Sequence, residues 1–257
     1  MTNTRLIGIA SGKGGVGKTV LAIGLAQALS HSPAHGLARP GRRVLLADGD
    51  LGLANIDVQL GLSIRHDLMQ VLAGQVSLHD AVVARPEGFD VLPGRSGSGS
   101  LAALDPGWID RFLALLRDSP YDDVVLDIGA GLDPVPRRLS AGCDTLLVVA
   151  TEEPTSLTDA YAVLKLLARD APGGDARVVV NMASDPAQAA RTHGALDRAC
   201  RGFLGHGVPF AGLIRRDANV RDAIRHQSAL LTRHPGCNAA RDLEALAGGL
   251  LSARAAA

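Results

Sequence analysis

Apolar runs recur along the chain with little polar alternation inside them: "RLIGIA", "RRVLLAD", "FDVLPG", "DDVVLDIGA", "DTLLVVAT", "ARVVVNMA" and "PFAGLI". A strand that alternates apolar and polar positions keeps one wet face, whereas a strand apolar throughout is covered on both. Each run is followed by a helical pattern. That alternation predicts an α/β fold, a mostly parallel twisted sheet of about seven or eight strands with helices on both faces in three αβα layers. Ligands of such sheets bind beyond the carboxyl ends of the strands. The stretch from His31 to Arg42, "HSPAHGLARPGR", reads as a loop entering a strand at its amino end, away from that edge, and is expected to be a tolerated insertion. The only low-complexity tracts are "GRSGSGS" at 94–100 and the alanine tail.

With 257 residues, 47% of them hydrophobic, the chain can bury a large core, and residues 1–257 read as a single domain. Twenty-six acidic residues balance 26 basic ones, so no overall field draws the chain to nucleic acid or an anionic membrane. Cys143, Cys200 and Cys237 stand far apart with no CxxC pair, which predicts buried thiols in a reduced compartment. No stretch is long and apolar enough to span a bilayer, and a cytoplasmic protein is expected.

Between the first strand and the first helix lies "IASGKGGVGKTVLAIGLA", in which Gly12 to Thr19 match G-x-x-x-x-G-K-[ST]. Glycines here let consecutive backbone N–H groups face a phosphate, and the following helix amino terminus adds its partial positive charge. Gly12, Gly14, Gly15, Val16 and Gly17 would form the cradle. Lys18 would reach the β- and γ-phosphates and Thr19 would offer its hydroxyl to Mg²⁺. Lysine is otherwise nearly absent, occurring at 13, 18 and 165 only, and its compact ammonium suits a phosphate pocket that a planar guanidinium would crowd. Two further segments supply acids. "ADGDLGLANIDVQLGL" places Asp48 and Asp50 two apart at a strand end, projecting the same way. One can hold the metal while the other orients an attacking water. "VVLDIGAG" places Asp127 at the end of an apolar strand, where a second acidic metal partner belongs, followed by glycines able to move with the γ-phosphate.

"SGKGGVGKT" resembles the deviant Walker motif of the MinD/ParA family of ATPases. The resemblance implies a P-loop ATPase that binds ATP and Mg²⁺, a homodimer formed with ATP, and slow hydrolysis returning it to monomer. It also implies that Lys13 crosses the dimer interface to the partner's phosphates, that Asp48 attends the metal and that Asp50 orients the water. "DGDLGLANIDVQLGL", "LPGRSGSGSLAAL", "LDIGAGL" and "EEPTSLTDAYAVLKLL" resemble, in order, the flagellar number regulator branch, called FlhG or FleN. That branch implies three partners: the flagellar GTPase FlhF, a flagellar transcription regulator and switch-ring proteins. Any polar placement would come through such a partner. By the same resemblance Asn181 contacts adenine by its amide, while the turn from Arg215 to Asp217 contributes backbone groups. Arg215 stands where the family usually has proline, and Val20 where relatives often have a small polar residue.

In "EPTSLTDAYAVLK" the spacing puts Leu157, Tyr161, Leu164 and Ala168 on a buried stripe and Lys165 outside. The helix is expected to border the dimer or a partner surface, with Asp159 holding Lys13 when nucleotide is absent. Some flagellar regulators carry an amino-terminal helix with a DQAxxLR-like motif that stimulates a partner GTPase. This sequence opens on its first strand, so the resemblance does not reach that activity. Many relatives end in a basic amphipathic membrane helix. Here "AARDLEALAGGLLSARAAA" has Leu243, Leu246 and Leu250 on one face, no aromatic anchor and a Gly248–Gly249 break, which predicts a packed final helix and no membrane binding through it.

Other classes fit less well. A nitrogenase-type reductase would carry a cluster cysteine where "LDPVPRR" stands, an iron–sulfur carrier needs a CxxC pair, and a tyrosine-kinase relative needs a Tyr-rich tail. The alternative kept is a ParA-type ATPase positioning DNA or another polar cargo. Its support is Arg215, Arg216, Arg221 and Arg225, which a solvated helix surface explains equally, and DNA binding is not expected.

Overall fold

The structure is a computed structural model, and it describes residues 4–31, 41–50, 52–94 and 107–255. Most of the 31–42 loop, the "SGSGS" tract and the last two alanines lie outside the described residues. All seven apolar runs form strands: β1 (Arg5–Ala10), β2 (Val44–Asp48), β4 (Asp90–Leu92), β5 (Asp123–Asp127), β6 (Thr145–Ala150), β7 (Asp175–Ala183) and β8 (Phe210–Arg215). With the two-residue β3 (Val83–Ala84) they make an eight-stranded sheet in the order β3-β4-β2-β5-β1-β6-β7-β8. Every pairing is parallel except that of β3 with β4. The sequence gives no warning of β3, because a two-residue edge strand leaves no period to read.

The helices are α1 (Lys18–His31), α2 (Ile56–Leu60), α3 (Leu68–Leu72), α4 (Leu78–Ala81), α5 (Trp108–Arg117), α6 (Pro134–Ala141), α7 (Pro154–Asp170), α8 (Pro186–Leu204), α9 (Ala218–Arg225), α10 (Leu230–Arg233) and α11 (Asn238–Ala255). Proline opens α6, α7 and α8, where its missing N–H is no loss and its fixed φ suits the first turn. The strands feed two cores. Leu6, Leu45, Val124 and Leu126 pack with residues of α3 to α8, whereas Ile7, Leu46 and Val125 pack with α1, α2, α9, α10 and α11. Neighbours along a strand point to opposite faces, which is why runs apolar throughout were required.

Two expectations about helices are corrected. The buried stripe of α7 is Ser156, Ala160, Val163, Leu164 and Leu167, with Leu157, Tyr161 and Ala168 only half-buried. The true stripe is turned by about one residue, or about 100°, because small Ser156 and Ala160 face the sheet closely. Gly248–Gly249 does not break α11, which runs on to Ala255. Both glycines are exposed, while Ala247 and Leu250 beside them are buried, so packing overrides their low propensity. All three cysteines are free; Cys200 is a buried residue, Cys143 and Cys237 are partly exposed as residues, and burial pushes the Cys143 thiol up to about 12.

Leu243, Leu246 and Leu250 of α11 are all buried, so the leucine face covers the sheet as expected. At Gly24 of α1 an added Cβ would overlap the Leu243 side chain, so the glycine lets the two helices close. Leu243→Ala should destabilise by about 2–5 kcal/mol and Gly24→Val by about 1–3 kcal/mol. Because the two changes trade volume at one contact, the double variant should be less destabilised than their sum by at least about 0.5 kcal/mol in urea unfolding. Strict additivity would show that the contact is not shared.

Candidate functional site

The carboxyl ends of β1, β2, β5, β7 and β8 converge on one edge, and every site residue expected from the sequence lies there or on a loop or helix start that leaves it. After Ala10 the chain curls through the glycine loop, with Gly15 and Gly17 at φ of 79° and 87°, a region open mainly to glycine. Two other constraints are steric. A Cβ on Gly12 would collide with the backbone carbonyl of Asp159 in α7, and one on Gly17 with the Asn181 amide. Ser11 Oγ donates to the Lys13 carbonyl at 2.6 Å and accepts from Lys18 Nζ at 3.0 Å. Burial pulls the Lys18 ammonium below its ordinary pKa, against the opposing pull of Asp127 and Asp50.

Asp48 and Asp127 are partners in the β2–β5 register, and both are almost fully buried. Asp48 Oδ1 accepts from the Asp50 N–H at 3.1 Å, and Oδ2 accepts from the N–H groups of Asn55 and Ile56 at 3.1 and 3.3 Å. It therefore organises the loop that carries Asp50 and the start of α2. Burial, and then the charge of Asp127, push Asp48 up to about 7 despite those donors. Asp127 is pushed up to about 6 by burial, while the Thr19 hydroxyl and Lys18 pull the other way. Its Oδ1 is buried with no hydrogen-bond partner, an acceptor left unused. Asp50 is half-exposed. Its Oδ1 accepts from the Leu53 N–H at 3.0 Å, and the carboxylate sits over Gly129, where a Cβ would be 3.2 Å away. Gly131 N–H in turn donates to the Ser11 carbonyl at 3.0 Å, tying the loop after β5 to the glycine loop.

Beside the loop is a cavity of 360 Å³ lined by Gly17, Val20, Asn181, Arg215, Asp217 and Leu243 among others. Asn181 donates to the Val16 carbonyl at 2.7 Å and accepts from the Met182 N–H at 2.9 Å, leaving one amide hydrogen and one lone pair for a ligand. Val20 is part of the apolar wall. Arg215 does not face the cavity freely: its guanidinium grips Asp242 of α11 through Nη2 at 2.6 Å, and its N–H donates to the same carboxylate at 2.9 Å. The Arg216 N–H is spent on the Ala183 carbonyl at 2.8 Å, and the Asp217 carboxylate caps both α9 and the start of α11. The turn's backbone can therefore serve a base mainly through its carbonyls. Of the four arginines raised as a DNA surface, Arg215 is thus internally paired, and Arg221 lines the cavity.

One site expectation fails. Lys13 is held not by Asp159 but by Glu153, at 2.5 Å, and by the Thr155 hydroxyl at 3.1 Å. The Asp159 backbone packs on Gly12, while Glu153 and Thr155 at the start of α7 take the lysine. Lys13 in turn holds the Glu153 carboxyl below its ordinary pKa.

Residues 7–230 match the model of the CobQ/CobB/MinD/ParA nucleotide-binding domain. The chain belongs to that family. It is 38% identical over 252 residues to the antiactivator FleN of Pseudomonas aeruginosa, covering 96% of this chain and 86% of FleN. It is 27% identical over 255 residues to the flagellum site-determining protein YlxH of Helicobacter pylori, covering 97% of this chain and 83% of the relative. The solved structure of the septum site-determining protein MinD of Pyrococcus horikoshii, complexed with Mg-ADP, superposes with a TM-score of 0.79 at 26% identity over 96% of both chains. The expectation of a MinD/ParA-type ATPase of the FleN-like branch is met, and the protein is a nucleotide-binding P-loop ATPase. No described helix is long and apolar enough to cross a membrane.

The raised carboxyl pair makes a prediction for the protein free of nucleotide and divalent metal. With folded pKa values above the ordinary carboxylate value, the folded chain binds more protons than the unfolded one between about pH 4 and 7, so stability falls as pH rises through that window. Asp127→Asn removes one carboxyl and the repulsion on the other. Urea unfolding in chelator at pH 5 and pH 7.5 should show a smaller loss in this variant than in the wild type. An equal loss would mean that the pair does not titrate abnormally.

Proposed function

We propose that residues 1–257 act as one Mg²⁺–ATP-dependent dimerisation switch with slow hydrolysis, regulating flagellar number or placement. The observation that carries the reading is the buried, unpartnered Oδ1 of Asp127, whose carboxyl meets the Thr19 hydroxyl and the Lys18 ammonium at the end of the glycine loop. Thr19, Asp48 and Asp127 would hold Mg²⁺, with Asp48 also fixing the Asp50 loop through its backbone partners. Bound there, Mg²⁺ neutralises charge on the β- and γ-phosphates. Gly12 to Gly17 cradle the phosphates, and Lys18 contacts them from the start of α1. Asp50, half-exposed over Gly129, is placed to orient a water for in-line attack. The adenine is assigned to the cavity beside Asn181, with the carbonyls of the Arg215–Asp217 turn as acceptors for its amino group.

Lys13 would leave Glu153 and cross to the phosphates of a second copy, as an arginine finger does for developing charge. An ion pair this open to water is weakened by solvent screening, so its loss is easily offset by a phosphate contact. The flagellar assignment rests on likeness to FleN and YlxH. It makes a FlhF-type GTPase, a flagellar transcription regulator or switch-ring components the partners to test. The packed leucine face of α11 supports placement through such a partner and not through a membrane helix.

Two variants in one assay test the switch. Asp50→Ala should keep ATP binding and accumulate dimer while turnover falls at least tenfold, about 1.4 kcal/mol of barrier. Lys13→Ala should keep ADP affinity and lose the ATP-induced dimer in sedimentation. Unchanged turnover in the first removes Asp50 from the chemistry, and lost ADP binding in the second means that Lys13 acts within its own chain.

A further inference from the structure

Among the described residues, only Met182 and Gln227 combine a side chain with a positive φ. Gln227, at φ 51°, stands just past the end of α9, where its N–H donates to the Ile224 carbonyl at 3.0 Å. That region crowds a β-carbon, so a glutamine kept there is strained and must be held by its contacts. The contact it makes is to another helix: Gln227 Nε2 donates to the Val58 carbonyl of α2 at 3.1 Å. Facing it is Gly61, the cap of α2, at φ 60°. A Cβ on Gly61 would lie 3.0 Å from Gln227 Oε1 and 3.1 Å from its Cβ. The glycine therefore serves its own turn and leaves room for the glutamine.

Helix α2 has five residues, too few to persist as a helix unaided. Ile56 and Leu60 anchor its inner side in the core. Its amino end is tied to Asp48, whose Oδ2 accepts from the Asn55 and Ile56 N–H groups while Oδ1 accepts from the Asp50 N–H. Gln227 ties down the other end. The tie comes from the wall of the base cavity, because α9 gives that cavity Val220, Arg221 and Ile224. Val20, Val220 and Ile224 also line the crevice between α1, α2 and α9, together with Gln59 of α2.

We infer that Gln227 is a positioning residue for ATP hydrolysis. By fixing the carboxyl end of α2 it keeps the backbone donors of Asp48 in place, and through Asp48 it keeps the Asp50 loop in place. This rests on the reading above that Asp50 orients the attacking water. Gln227's own hydrogen bonds go to Val58 and Ile224 and not to the glycine loop, so turnover depends on it and nucleotide affinity does not.

Two variants of the full chain test this. Gln227→Gly removes the donor and relieves the backbone strain, whereas Gln227→Glu keeps the shape and sets a carboxylate against the Val58 carbonyl. Both should lower kcat at least about fivefold, with ADP affinity in chelator within about twofold of wild type and Tm within about 2 °C. Hydrogen exchange in the peptide 55–62 should quicken about fivefold, with no change in α1. A merely structural role would lower Tm and ADP affinity together with turnover. Asp50→Ala in the same assay separates the two readings: if it loses turnover while both Gln227 variants keep theirs, only the inference about Gln227 fails. If Asp50→Ala keeps its turnover, the water-orienting reading fails and takes this one with it. Unchanged exchange at 55–62, or ADP affinity falling in step with turnover, would also overturn the inference.

Discussion

Two carboxyl groups, Asp48 and Asp127, are held side by side at the ends of neighbouring strands with almost no access to water. Burial and mutual repulsion both oppose their ionisation. Such a pair lowers the stability of the empty protein and gains its use only when positive charge arrives. Much of the surrounding structure serves that situation. Three backbone N–H groups support Asp48, the Thr19 hydroxyl and the Lys18 ammonium face Asp127, and one oxygen is left over. The parallel sheet is what makes the arrangement possible, since it brings β2, β5 and the loop after β1 to one edge in register.

Helix α7 connects this edge to the rest of the molecule. Its first turn holds Lys13, its Asp159 carbonyl packs on Gly12, and its outer face carries Lys165. The turn from Arg215 to Asp217 has a similar role on the other side. Arg215 grips Asp242 and Asp217 caps α11, so the wall of the base cavity and the final helix are one hydrogen-bonded unit.

The strands and the phosphate loop were legible because their physics is local: apolar runs covered on both faces, and glycines at fixed offsets before a lysine. Asp48, Asp50 and Asp127 were legible because they end such runs. What the sequence did not disclose depends on distances between elements. Glu153 outcompetes Asp159 for Lys13 because of where α7 begins relative to the loop, which no spacing encodes. The stripe of α7 was misread by one residue because Leu157 and Tyr161 are larger than Ser156 and Ala160, yet the small residues face the sheet. Gly248–Gly249 remains helical because its neighbours are buried, a tertiary effect that propensity alone misses.

Everything at this edge turns on one proposed contact, a divalent cation held by Asp127 and Thr19 on the bound nucleotide. Its most direct test is Mn²⁺ binding to the ADP complex, followed by electron paramagnetic resonance, in wild type, Asp127→Asn and Thr19→Ala. Both variants should bind ADP without metal as the wild type does, while Mn²⁺ affinity falls at least about tenfold, the loss of roughly 1.4 kcal/mol expected for removing one ligand-bearing contact. Wild-type Mn²⁺ affinity in both variants would contradict it, and would leave the buried pair without the role assigned to it.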